Sequence, residues 1–190
     1  MDDPATAGQD THDTQTQDET PLARWERYGL PGPGPGETMG LYSPLADGSK
    51  PKFFDLRTQL VADGRSLKPL AETESLWSWV KVYASGGENV LHAHTNEDHL
   101  FIILAGKAVF YGPNGEEREL GRNEGLMLPA GTLYYFHASS EEPLVLLRVG
   151  ARAKDGDIGD RIGADGSAIP SGSKKNKFKP PVYREGEYFE

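Results

Sequence analysis

The chain of 190 residues contains no cysteine, which excludes disulfide bonds, thiolate metal ligands and a cysteine nucleophile. It has no apolar run that approaches the roughly 18 residues of a transmembrane helix, so we expect no membrane partner. The start of the chain has neither the basic nor the apolar segment of a secretory signal. We therefore expect a cytoplasmic protein.

Positive charge is scarce, and the net charge is −9. Residues 1–20 contain six acidic residues and no lysine or arginine. Few of these residues are apolar, so the composition predicts a disordered acidic tail over 1–20. The rest of the chain is only mildly acidic, and we expect no nucleic-acid partner.

Glycine and proline are abundant, with 23 and 14 residues, which favours short strands joined by tight turns. From residue 75 onward, aromatic and β-branched segments alternate with turn signals such as PNGEE (113–117). Residues 52–64 fit a helix or a strand equally well. We predict an all-β sandwich or barrel over 75–152, with an N-terminal arm (21–74) packed on it and an extended C-terminal arm (153–190).

Three of the five histidines lie in LHAHTNEDH (91–99). His92 and His94 are two residues apart and share one face of a strand. A turn through TNED brings His99 onto the adjacent antiparallel strand, where it can face the same way. Converging neutral imidazoles suit Fe, Zn, Cu or Ni. We predict that His92, His94 and His99 bind one divalent metal ion.

The same stretch resembles the first motif of the cupin superfamily, which is Gly, five residues, His-x-His, three or four residues, Glu, six residues and Gly. The matching positions are Gly86, His92, His94, His99 and Gly106. His99 stands where the family has glutamate.

Pro129-Ala-Gly131 resembles the core of the second cupin motif. In that motif Asn123 stands at the first glycine, Tyr134 at the histidine and Ala138 at the asparagine. The resemblance implies a small antiparallel β-barrel of jelly-roll type with a cavity for one small ligand. It also implies a homodimer and places Tyr134 beside the metal.

Other residues complete the predicted site. Tyr134 can donate a proton or, ionised, act as a base. Phe101, Ile103 and Phe136 are expected to line the cavity, which suggests a mostly organic substrate.

Five charged or titratable side chains have open roles. Glu97 and Asp98 are expected in a turn, where a carboxylate could orient an imidazole and Glu97 could replace His99 as a ligand. His137 faces away from Tyr134 unless a β-bulge turns it inward. Lys81 and Arg148 are expected to face outward, because lysine and arginine are mostly exposed. If either faced inward, its charge would bind an anionic substrate.

Three functions follow as hypotheses. The first is a mononuclear metal enzyme, most simply a non-haem Fe(II) dioxygenase acting on a small organic molecule, with Zn, Ni, Mn or Cu as other possible ions. The second is a redox-neutral metal-dependent lyase, isomerase or dehydratase in which Tyr134 is the acid or base. The third is a noncatalytic cupin that binds a small ligand.

Overall fold

The computed structural model describes residues 52–73, 75–84, 89–152, 161–170 and 173–190. The predicted acidic tail and residues 21–51 of the predicted arm lie outside these ranges. Within them the chain forms ten β-strands and one short 3₁₀ turn at Lys174–Asn176: β1 Thr58–Asp63, β2 Arg65–Glu72, β3 Leu76–Tyr83, β4 Glu97–Ala105, β5 Ala108–Tyr111, β6 Glu117–Leu120, β7 Gly125–Leu128, β8 Tyr135–Ala138, β9 Leu144–Arg152 and β10 Val182–Phe189.

The strands form three antiparallel sheets. One sheet has the order β2-β3-β9-β4-β7, a second the order β6-β5-β8, and the third pairs β1 with β10. This arrangement confirms the predicted all-β jelly-roll barrel. Residues 52–64 contain a strand from Thr58 onward, and β10 of the predicted C-terminal arm pairs with it. No helix in the described ranges has the length and apolar character needed to cross a membrane.

The five-stranded sheet separates two cores, because successive side chains on a strand point to opposite faces. On β3, Val80 and Val82 point toward the outer core beneath β1 and β10. Tyr83 points toward the barrel interior, where the inner core lies. The inner core comprises Tyr83, Phe101, Ile103, Ala108, Phe110, Leu120, Leu128, Tyr134, Phe136, Leu144 and Leu146.

Two turns preserve the backbone geometry that the motif positions require. Gly106 has φ +70°, and a Cβ there would lie 2.8 Å from the carbonyl oxygen of Pro143. Asn123, at the first glycine of the second motif, has φ 68°. Asparagine enters this left-handed region more readily than most residues, so the turn survives without glycine.

Candidate functional site

Backbone hydrogen bonds hold the His92–His94 segment inside the barrel. His92 and Tyr134 exchange two bonds of 3.0 and 2.9 Å, and Ala93 and Ile162 exchange two of 2.9 and 3.0 Å. The Gly131 amide also donates to the His94 carbonyl at 2.7 Å. The two motifs and the segment after β9 therefore meet at one place.

His94, Glu97 and His99 form a compact buried group. Each offers a ligand atom, and these atoms lie within 4.8 Å of one another. The expectation that Glu97 is a turn residue is wrong, because Glu97 begins β4 and is 3 % exposed. It lies two residues before His99 and so points into the same interior. A carboxylate is thus present, although its position differs from that of the family motif.

Hydrogen bonds fix the orientation of Glu97 and His99. The Trp77 indole Nε1 donates to Glu97 Oε1 at 3.0 Å, and His99 Nε2 lies 3.0 Å from Glu97 Oε2. Trp77 reaches this position across Gly150, where a Cβ would lie 2.1 Å from the indole ring. A carboxylate only accepts, so His99 Nε2 carries the proton and Nδ1 keeps its lone pair.

His92 adjoins this group without joining its closest set of atoms. Its ring centroid lies 5.1 Å from that of His94. Its Nδ1 lies 2.7 Å from the Val90 carbonyl oxygen, so Nδ1 is the donor and Nε2 keeps a lone pair. That Nε2 is buried and has no hydrogen-bond partner within the described ranges. The three-histidine ligand set therefore stays a prediction beside the more compact His94, Glu97 and His99.

Arg148 lies inside the barrel, so the expectation that it faces outward is wrong. It is 2 % exposed, and its Nη2 lies 3.1 Å from His94 Nε2 and 3.1 Å from both ring nitrogens of His99. Because His99 Nε2 carries a proton, we assign Nδ1 as the acceptor. The guanidinium carbon lies 5.0 Å from the centroid of the Trp77 ring.

Two further cations surround the same imidazoles. Arg161, which the sequence analysis missed, is 7 % exposed and places Nε 3.3 Å from His94 Nε2. Lys81 is 5 % exposed and lies between Trp79 and Tyr83 on the inward face of β3, so its expected outward orientation is also wrong. Among the described residues Glu97 is the one buried carboxylate.

We call this half of the interior the polar end, defined by Lys81, His92, His94, Glu97, His99, Arg148 and Arg161. Burial, more than the neighbouring Arg148, lowers the pKa of Arg161 to about 9. Burial and then Arg148 hold the pKa of the Lys81 ammonium and of His94 and His99 well below their usual values. Burial, and after it Arg161, also lowers the pKa of His92 well below its usual value. The three imidazoles are therefore neutral at neutral pH.

Tyr134 lies against the histidines, and its place beside a metal ion stays a prediction. Its ring centroid is 4.6 Å from that of His92 and 6.5 Å from that of His94. Burial raises the pKa of its phenol, so the group keeps its proton at neutral pH. His137 lies on the opposite face, with its ring 5.5 Å from Tyr111 and 5.4 Å from Tyr135.

The residues predicted to line a cavity belong to the inner core. Phe101, Ile103 and Phe136 are fully buried there, and their predicted contact with substrate stays a prediction. A groove of about 690 Å³ opens beside them, between the β5–β6 hairpin and β7. Its lining includes Phe110, Leu120, Leu128 and Tyr134. Tyr134 thus faces both the groove and the histidines.

The donor atoms of the polar end suit a divalent metal ion. Imidazole lone pairs and a carboxylate are the ligands of Fe, Zn and related ions, and a histidine whose other nitrogen donates to a carbonyl or carboxylate is the usual metal-binding arrangement. Arg148, however, contacts the lone pairs of His94 and His99. The residues therefore fit a metal ion, provided that Arg148 has another partner.

Residues 79–150 match the family model of the cupin domain. These residues therefore form a cupin domain, which confirms the resemblance to the cupin superfamily. Among curated proteins, none matches this chain at a significant level.

Solved structures of similar fold include three from different organisms. An uncharacterised protein with a double-stranded β-helix domain from Klebsiella pneumoniae is 18 % identical, with TM-score 0.49 over 56 % of this chain and 95 % of that one. KdgF from Halomonas sp. is 24 % identical, with TM-score 0.43 over 51 % and 89 %. The cupin domain of Schizosaccharomyces pombe Cnp3 is 19 % identical, with TM-score 0.46 over 52 % and 77 %.

Proposed function

We propose that this cupin is a mononuclear metal-dependent enzyme that acts on a small organic molecule. The observation that carries the proposal is the buried group of His94, Glu97 and His99, whose ligand atoms lie within 4.8 Å of one another. Two histidines and one carboxylate with open positions are typical of non-haem Fe(II) oxygenases. Fe(II) and a dioxygenase reaction are therefore the first candidates, with Zn, Ni, Mn and Cu as other ions.

Bound iron would supply the activation of dioxygen, which no protein side chain provides. The chain's own residues have separate roles. Glu97 accepts from His99 and orients its imidazole, and Trp77 donates to Glu97 and holds that carboxylate in place. Tyr134 holds a proton between the groove and His92, where it can donate to a substrate that enters through the groove.

A redox-neutral lyase, isomerase or dehydratase is the second candidate. The observation that favours it is the buried phenol of Tyr134 beside His92, because such a reaction needs a proton donor or acceptor at the substrate. The raised pKa of Tyr134 makes it an acid in the resting protein. Turnover in the absence of dioxygen would select this reaction over the dioxygenase.

The expectations for partners and location form part of the same proposal. They are a small-molecule substrate, a homodimer, a cytoplasmic location, and no nucleic-acid or membrane partner.

Metal analysis of the purified protein, and of chelator-treated protein reconstituted anaerobically with Fe(II), tests the proposal. We expect one metal ion per chain. His94→Ala and Glu97→Gln should each weaken metal binding by more than about 100-fold, because losing only a supporting partner already costs up to about that much. His137→Ala is the matched control, since that imidazole lies on the opposite face, and it should bind metal normally.

The variants also distinguish the two ligand sets. Loss of metal in His92→Ala together with normal binding in Glu97→Gln would select the three histidines. Normal metal binding in both His94→Ala and Glu97→Gln would contradict the proposal as a whole.

A further inference from the structure

We propose that the polar end binds the carboxylate group of a small organic anion, held by Arg148, Arg161 and Lys81. This inference rests on the proposed function and deepens it, since it names the substrate class of the same site. It also gives Arg148 the partner that it needs when its contacts with the two imidazoles are lost.

The polar end has an excess of buried positive charge. The acceptors of Arg148 and Arg161 among the described residues are imidazole nitrogens rather than carboxylates. The only buried carboxylate in the described ranges, Glu97, accepts from Trp77 and His99. Removing a cation from water costs several kcal/mol unless a counter-charge is present. An anion in this interior would supply that counter-charge.

The same region contains buried donors that lack acceptors within the described ranges. Four donors are buried and have no hydrogen-bond partner among the described residues: Nε of Arg148, Nη1 of Arg161, Nε1 of Trp79 and the hydroxyl of Tyr83. Each such group costs about 1–3 kcal/mol when it is left unsatisfied. All four can donate, and an ionised carboxylate only accepts, through two oxygens with about four lone pairs. The donors and the anion are therefore complementary.

Contacts between these side chains place the donors in one region. The guanidinium carbon of Arg148 lies 5.9 Å from the centroid of the Trp79 ring, and Nζ of Lys81 lies 5.3 Å from that of Tyr83. Trp79 stacks on Trp77 at 4.1 Å between centroids. The donors of Arg148, Trp79, Lys81 and Tyr83 are therefore neighbours in one region of the interior.

The surroundings favour an organic carboxylate over an inorganic oxyanion. Guanidinium groups bind carboxylates through two parallel hydrogen bonds. The Arg148 guanidinium is bordered by Trp77, Trp79 and Phe101, with ring centroids 5.0, 5.9 and 5.5 Å away. These rings can cover the apolar part of an organic acid, whereas phosphate or sulfate would present unpaired oxygens to them.

Thermal unfolding of chelator-treated protein with a panel of anions tests the inference. The panel is acetate, propionate and benzoate, each paired with its amide, together with inorganic phosphate and sulfate at equal ionic strength. We expect at least one carboxylate to raise Tm while its amide does not. Equal shifts from acids and amides, no shift from any carboxylate, or shifts from phosphate and sulfate alone would overturn the proposal.

Arg161→Met separates a binding role from a structural one. Arg161 has no carboxylate partner among the described residues, so replacing this buried cation with an apolar side chain should raise Tm without ligand by a few degrees. The same change should weaken carboxylate binding by at least about 30-fold. Arg122→Met, which removes an exposed arginine, is the matched control and should change neither value.

The opposite result, a lower Tm with carboxylate binding intact, would show that Arg161 is structural and would overturn the proposal. If Arg161→Met does not fold, Arg161→Lys replaces it as the test. This variant keeps the positive charge and loses the guanidinium, which can donate two parallel hydrogen bonds. It should bind the carboxylate at least about tenfold more weakly, and wild-type affinity would overturn the assignment.

The outcome is separable from that of the proposed function. The anion response is measured without metal, and it should persist in Glu97→Gln, which is designed to lose metal. A protein that binds carboxylates and no metal would retain this inference and refute the metal enzyme. A protein that binds metal and shows no preference for carboxylates over amides would support the metal enzyme and refute this inference.

Discussion

The two ends of the barrel interior are built from the same strands and have opposite chemistry. On β4, Glu97 and His99 point into the polar end, whereas Ile103 points into the inner core, which forms the apolar end. On β9, Arg148 belongs to the polar end and Leu146 to the apolar end. A single strand thus changes from ionisable to apolar side chains within a few inward positions.

The difference separates stability from function. The apolar end removes aliphatic and aromatic surface from water, which stabilises the fold. The polar end buries three cations and three neutral imidazoles around one carboxylate, and this arrangement opposes folding. Such a cluster lowers the stability of the fold. Its buried charges and donors indicate that it binds a ligand.

We expect the largest loss of stability when the pH is lowered. Burial holds the pKa values of His92, His94 and His99 well below their usual value of 6.5 in the folded protein. Below pH 6.5 the unfolded chain therefore binds more protons, so the stability present above pH 6.5 is lost as the pH falls. For metal-free protein we expect a loss of about 4 kcal/mol between pH 7.5 and 5.5, measured by urea denaturation.

A variant sharpens this test of the polar end. His94→Gln removes one of the three imidazoles, so its stability should fall by about a third less over the same interval. A free energy of unfolding that stays constant from pH 7.5 to 5.5 would contradict the burial of neutral histidines.

Truncation at the apolar end should change stability alone. Ile103 is fully buried in the inner core, and Ile103→Ala should lower the free energy of unfolding by about 2–5 kcal/mol because it leaves a cavity. The folded variant should keep its metal content and its response to carboxylates. Loss of metal from well-folded Ile103→Ala would show that the two ends are not independent.

Much of the fold and part of the site could be predicted from the sequence. The alternation of apolar segments and turns predicts the strands, and the spacing of the histidines places His94 and His99 together. Glu97 could have been found by the same alternation, since it precedes His99 by two residues and shares its face. The polar segment TNED resembles a turn, so Glu97 was expected in a turn and not in a strand.

The inward cations were missed for a physical reason. Lysine and arginine are rarely buried without a partner, so outward orientation was the safer expectation. For Arg148 the alternation of side chains along β9 predicts the inward orientation, because Arg148 shares a face of the strand with Leu144 and Leu146. Arg161 could not be predicted, because its position depends on the pairing of Ile162 with Ala93, a contact between residues far apart in the chain.

If the polar end binds both ligands as proposed, metal and carboxylate should bind it cooperatively. Calorimetric titration of chelator-treated protein with Zn²⁺ in acetate and in chloride, at equal ionic strength, measures this. We predict a Kd for Zn²⁺ at least about tenfold lower in acetate, because the anion draws Arg148 from His94 and His99. Equal affinity for Zn²⁺ in acetate and in chloride would contradict cooperative binding of metal and carboxylate at the polar end.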